Sequence, residues 1–186
     1  KELPTFPEHL QLMYLILFCT GIRKSEVCTI KSGAFYSQGN ESWMRIYQSK
    51  MRREKVIPIP SILVELVNDY EKKCEIKNGE YLFKNKKGGA FNGQTFSDQM
   101  IRECNARGID CGDYIFRAHD YRHNLATSMY GNGVSIQGVR DYLGHSSENM
   151  TKQYIDFMPE RIVSAEDKYF SRNQSFKLKG AEEDER

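Results

Sequence analysis

The chain has 186 residues, 39% of them hydrophobic and 28% charged, a balance that excludes a disordered polyelectrolyte, a collagen-like repeat and a disulfide-dense miniprotein. Its formal charge is +2, but four acids (Glu182, Glu183, Asp184, Glu185) crowd the last six residues beside Arg186, and the remainder carries 26 bases against 21 acids. That is compatible with a polyanionic partner and does not demonstrate one, because the placement of charge matters more than its sum.

Lys1 rather than methionine opens the chain, as expected of a domain taken from a longer protein. Pro7 suits a first helical turn, and apolar residues from Leu10 through Phe18 run almost unbroken to Gly21, a C-terminal cap, so the first helix is expected to be buried on most sides. Its longest apolar run, Leu12 to Cys19, is eight residues, far below the ~20 that cross a bilayer, and neither a membrane span nor a signal sequence is read here. A short helix is expected over Lys24 to Thr29. Residues 34–36, 42–47 and 55–59 then read as strands, with Gly39-Asn40 turning the first pair. Ser61 offers an N-cap to a helix carrying Ile62, Leu63, Leu66, Val67 and Tyr70 and ending before Asn78-Gly79.

Tyr81-Leu82-Phe83 forms a short apolar patch, followed by a basic, glycine-bearing loop from Lys84 to Gly89. From Thr95 the pattern Phe96, Met100, Ile101, Cys104 predicts another amphipathic helix, closed by Gly108. His119 to Tyr130 reads as a further helix, stopped by Gly131-Asn132-Gly133, with Ser135 capping the next. Short helices are expected to about Phe170, so residues 1–170 make one domain, and the polar stretch 171–186 reads as a mobile tail. The fold class is α+β, mainly helical, with a small antiparallel three-stranded sheet.

Five cysteines, odd in number and without a C-x-x-C pair, indicate neither a disulfide framework nor a zinc ribbon and point to the reducing cytoplasm. The four histidines lack zinc-site spacing, and no D-x-D or paired carboxylate marks a magnesium site, so no metal is expected. Lys86-Lys87-Gly88-Gly89 lacks the spacing of a phosphate-cradling Walker loop.

Four segments carry chemistry. In His119-Asp120-Tyr121-Arg122-His123, a proton-transfer group and a guanidinium fork share one helix face, although a merely solvated face has the same pattern. Leu143-Gly144-His145-Ser146-Ser147 holds a histidine in a tight turn. Thr20-Gly21-Ile22-Arg23-Lys24-Ser25-Glu26-Val27 places Arg23 between a helix end and a helix start, where a fork meets a phosphate oxygen well; the alternative is that Arg23 pairs with Glu26 or answers the preceding helix dipole. Around the turn from Gln48 to Lys55, positions 45–55 concentrate the bases Arg45, Lys50, Arg52, Arg53 and Lys55 against the single acid Glu54, which suits a DNA groove and equally protects a sheet edge.

Taken in order and followed by Tyr154, these segments resemble the tyrosine recombinase (phage integrase) family over roughly Phe6 to Phe157. The T-G-I-R-K-S-E segment, the H-x-x-R pair, L-G-H-S with a tyrosine nine residues beyond its histidine, and Val56-Ile57-Pro58-Ile59 after the hairpin all match. The resemblance implies catalytic roles for Arg23, Lys50, His119, Arg122, His145 and Tyr154, with Arg52, Arg53 and Lys55 on DNA. Ser49-Lys50-Met51 departs from the family's Thr-Lys-Gly, which leaves Lys55 or Arg52 as rivals for the lysine. Tyr121 stands where many relatives have leucine, and Ile155-Asp156 where many have Thr-His. Tyr130, Tyr142 and Tyr169 are rival nucleophiles by type, and only Tyr154 has the family spacing.

What the resemblance implies is a site-specific recombinase, an integrase that cuts and rejoins double-stranded DNA through a 3′-phosphotyrosine, without metal, ATP or other cofactor, for integration or excision of a mobile element. It further implies a homo-oligomer on DNA, a tetrameric synapse, and a DNA-binding domain upstream of this fragment. Strand relaxation in the manner of a type IB topoisomerase and a non-catalytic DNA-binding module are the alternatives.

Overall fold

The computed structural model describes residues 2–49, 51–109 and 115–144, which belong to two compact units, residues 1–125 and 126–186. In the first unit a 3-10 turn, Leu3–Thr5, leads into α1, Glu8–Thr20, whose Leu10, Leu12, Met13, Ile16, Leu17 and Thr20 are buried. Apolar on most sides, as read from its sequence, α1 packs against three other helices of the unit. Gly21 ends it in the left-handed conformation (φ 58°), its N–H donating to the Leu17 carbonyl at 2.9 Å. A side chain there would be strained, which is the physical reason for glycine. α2 follows at Lys24–Cys28.

Strands β1, Phe35–Gln38, β2, Glu41–Gln48, and β3, Arg53–Ile59, form one antiparallel sheet in sequence order. The register places Phe35 opposite Met44 and Met44 opposite Ile57, so the buried residues of all three strands share one face. Each such side chain removed from water contributes about 1.5–3 kcal/mol. Gly39-Asn40 makes the two-residue turn between Gln38 and Glu41, as predicted. Pairing of Gln48 with Arg53 closes the second hairpin, in whose turn Arg52 takes φ 50°.

α3, Ser61–Lys73, packs on β1 and β2 through its buried Leu63, Val64 and Val67. Its N-cap is Pro60, without a side-chain capping bond, and Ser61 is already helical, so the helix starts one residue earlier than the serine rule suggests. The helix also stops at Lys73, well before Asn78-Gly79. α4, Gly93–Ala106, starts two residues ahead of Thr95 because the Asn92 side chain accepts from the N–H groups of Gln94 and Thr95, the strongest kind of cap. Between α3 and α4, Leu82 and Phe83 are buried, and Leu82 N–H donates to the Ile30 carbonyl at 2.8 Å.

α5, Ala118–Gly131, begins in the first unit and ends in the second. In the second unit Gly133 (φ 87°) turns the chain, and the Ser135 hydroxyl accepts from Gly138 N–H to start α6, Ile136–Leu143, as predicted. Among the described residues no helix is long and apolar enough to cross a membrane.

Candidate active site

The junction of α1 and α2 is the centre of the site. Arg122, on α5, is 2% exposed, among the most buried large side chains of the described residues. A guanidinium taken out of water must be met by acceptors, and its Nη1 donates to the Gly21 carbonyl at 2.9 Å. That carbonyl lies at the C-terminal end of α1, where the unpaired oxygens carry the helix's partial negative charge. The cap that the sequence predicted at Gly21 is therefore also the seat of Arg122.

Arg23 stands two residues further on, at the N-cap of α2. Both oxygens of the buried Glu26 carboxylate hold it: Oε2 accepts the Arg23 backbone N–H at 2.8 Å and Oε1 accepts from Nη1 at 2.9 Å. The Glu26 side chain is 1% exposed and that of Arg23 21%. The pairing that the sequence offered as the alternative role for Arg23 is thus present. It fixes one end of the fork and leaves about a fifth of the side chain exposed, so the structural pair does not bury the residue.

His119 lies one turn before Arg122 on α5 and is solvent-accessible. Its pKa is lowered from the usual histidine value, chiefly by partial burial, then by the charge of Arg122 and more weakly by that of Arg23, with Asp120 opposing. Arg23, distant in sequence from His119 and Arg122, thus shares their electrostatic neighbourhood. At neutral pH such an imidazole is a proton acceptor beside two guanidinium groups. Lys50, His145 and Tyr154 lie outside the described residues.

The basic hairpin divides by strand alternation. Arg53 and Lys55 have the parity of the buried Ile57 and Ile59, whereas Arg45 stands with Tyr47 on the opposite face, its guanidinium 5.8 Å from the Tyr36 ring centre. Arg52 and Arg53 are exposed and Lys55 is half-buried. The bases that look like one cluster in sequence point to different sides of the sheet.

Two supporting residues escaped the sequence reading. Lys24 donates from Nζ to Ser97 Oγ at 3.2 Å, and its stem runs along Gly93, where an added Cβ would lie 3.5 Å from the lysine Cγ. This joins the start of α2 to the start of α4; no local spacing announces a contact between residues so distant in the chain. Tyr121 is the other. Its ring meets Tyr14 edge-on at 5.2 Å and lies 5.8 Å from Phe116, which meets Phe96 at 5.7 Å. The aromatic at this position braces α5 against α1, a packing term the motif alone does not express.

Residues 2–161 match the phage integrase family, and the chain belongs to that family. Transposase B from transposon Tn554 of Staphylococcus aureus is 32% identical over 168 residues, covering 87% of this chain and 27% of that protein. The tyrosine recombinase XerC of Rickettsia bellii is 28% identical over 155 residues, covering 82% of this chain and 48% of that protein. Among solved structures, the XerH site-specific recombinase bound to difH substrate in a pre-cleavage complex is similar with a TM-score of 0.67 and 26% identity, over 80% of this chain and 42% of that one. The chain thus spans less than half the length of each of these relatives.

Proposed function

We propose that this chain is the catalytic domain of a tyrosine site-specific recombinase, an integrase that cuts and rejoins DNA through Tyr154 for the integration or excision of a mobile element. The catalytic domain covers residues 1–170, and 171–186 form a dispensable polar tail. The observation that carries the reading is the meeting of Arg23, His119 and Arg122 around the α1–α2 junction, one fork held by a carboxylate and the other by a backbone carbonyl. The similarity to a transposon's transposase favours the mobile element.

A phosphodiester under attack gains charge on its nonbridging oxygens, and preorganised guanidinium groups are aimed at such charge without reorganising. Arg23 and Arg122 supply that field. His119, kept neutral by its surroundings, takes the proton of the Tyr154 phenol as the phenolic oxygen bonds to phosphorus; Lys50 gives a proton to the departing 5′ oxygen, and His145 hydrogen-bonds the phosphate. The 3′-phosphotyrosine conserves the bond energy, so attack by a 5′ hydroxyl reverses the step without ATP. Arg52, Arg53 and Lys55 hold the duplex backbone. The enzyme acts in the cytoplasm, as a homo-oligomer that forms a tetrameric synapse on two DNA sites.

A nicked duplex that releases its 5′ fragment traps the covalent intermediate. The protein should become attached to a 3′ phosphate in the presence of chelator and with no nucleotide added, and Tyr154→Phe should bind the DNA and trap none. An adduct mapped to Tyr130, Tyr142 or Tyr169, or no adduct on any duplex carrying the element's own ends, overturns the assignment.

A further inference from the structure

The segment that carries His119 and Arg122 ends in a residue for which the proposed chemistry has no task. His123 lies one helical turn beyond His119, and the two rings meet nearly at right angles, 88°, with their centres 4.7 Å apart. An edge-to-face contact of this kind restricts the rotation of both rings. The charged groups around the pair are Arg122 and Asp120 on α5 and Arg23 at the α1–α2 junction.

We propose that His123 is a positioning residue for His119: its ring holds the His119 imidazole at one orientation and remains neutral when His119 takes up a proton. The inference rests on the reading of His119 as the proton acceptor. Burial, the charge of His119 and that of Arg122 all lower the His123 pKa, with Asp120 opposing. A proton on His119 therefore discourages a second on His123, as for any closely coupled pair. A neutral ring beside the new imidazolium adds no repulsion.

The test uses His123→Phe, which keeps a planar ring and cannot titrate, and His123→Leu, which removes the ring. In the full chain without DNA, the His119 imidazole resonances of the wild type should follow two steps as pH falls, the second reporting the partner, and a single step in His123→Phe. On the nicked substrate at saturating DNA, His123→Leu should trap about tenfold more slowly, within the range that a misplaced catalytic group produces, at unchanged DNA affinity, and His123→Phe should recover most of that loss. A single-step His119 titration in the wild type, or trapping by His123→Leu at the wild-type rate, overturns the proposal. If the leucine variant fails to fold, the phenylalanine variant and the titration decide. Two-step titration in a protein that never traps DNA supports the pair and refutes the recombinase reading instead.

Discussion

Arg122 Nη1 donates to the main-chain carbonyl of Gly21 at 2.9 Å across 101 residues of sequence, and this bond joins α5 to the end of α1. The carbonyl is available because Gly21 terminates the helix, and the guanidinium is buried because the bond is there to receive it. Fold and site are linked at this point, since the same contact that completes a helix end fixes the direction of the fork proposed to bind phosphate.

Arg122→Lys retains the charge and loses the fork. A single ammonium serves the Gly21 carbonyl or a phosphate oxygen, and the geometry for both together is gone. Covalent trapping should fall about 100-fold to 1000-fold, the usual cost of losing one preorganised donor. The urea midpoint should drop by the equivalent of about 1.5 kcal/mol. Trapping within threefold of wild type would show that Arg122 is structural only.

Glu26→Gln tests the carboxylate that holds Arg23. The single amide oxygen can accept from the backbone N–H of Arg23 or from its guanidinium, and the amide NH2 that replaces the other oxygen faces a donor, so one of the two bonds is lost. Stability should fall by about 1–2 kcal/mol, with at least a tenfold loss of trapping and little change in DNA affinity. Equal losses of binding and trapping would mean that Glu26 shapes the surface as a whole and does not orient Arg23 alone.

His119 and His123 both have pKa values below that of an unfolded histidine. The unfolded chain therefore binds more protons than the folded one in that range, and stability rises with pH. The contribution is fully present above the unfolded value, about 6.5, and is lost as pH falls through the folded values. Urea midpoints taken from pH 7.5 downward should decline on entering this window, and the decline should be shallower in a His119→Gln, His123→Gln double variant. An equal slope in the double variant would assign the decline to other groups.

Arg52 has φ 50° at the hairpin turn, a conformation that costs a side-chain-bearing residue about 1–2 kcal/mol. Arg52→Gly should raise the urea midpoint by the equivalent of up to about 1 kcal/mol while weakening the binding of random duplex DNA and flattening its salt dependence, because a phosphate contact and its released counterion are gone. A more stable variant with unchanged salt dependence would remove Arg52 from the DNA interface.

The elements governed by local rules were legible in the sequence. The glycine that ends α1, the two-residue turn at Gly39-Asn40 and the serine that caps α6 each follow from the conformations open to one or two residues. The start of α4 was misplaced because Asn92 competes with Thr95 as a cap, and the end of α3 because a polar stretch without a strong stop gave no local boundary. Of the site, the residue types were legible through their motifs, and the partnership of Arg23 with Glu26 was visible as a spacing on one helix turn. The bond from Arg122 to a backbone oxygen was not, since a carbonyl has no sequence signature, and the Lys24–Ser97 contact joins segments whose proximity only the packed fold creates. The hairpin's basic residues, a single cluster in the sequence, were separated by pleat alternation.

The two forks of this site differ in how their anchors are encoded. Glu26 holds Arg23 through a side chain, so one codon change can remove the support, and natural variation at that position is constrained for as long as Arg23 is needed. Arg122 is held by a peptide oxygen that every amino acid supplies. Its support is inherited with the path of the main chain and is lost only when that path changes, so the second fork keeps its bearing for as long as a residue tolerant of the left-handed turn remains at position 21.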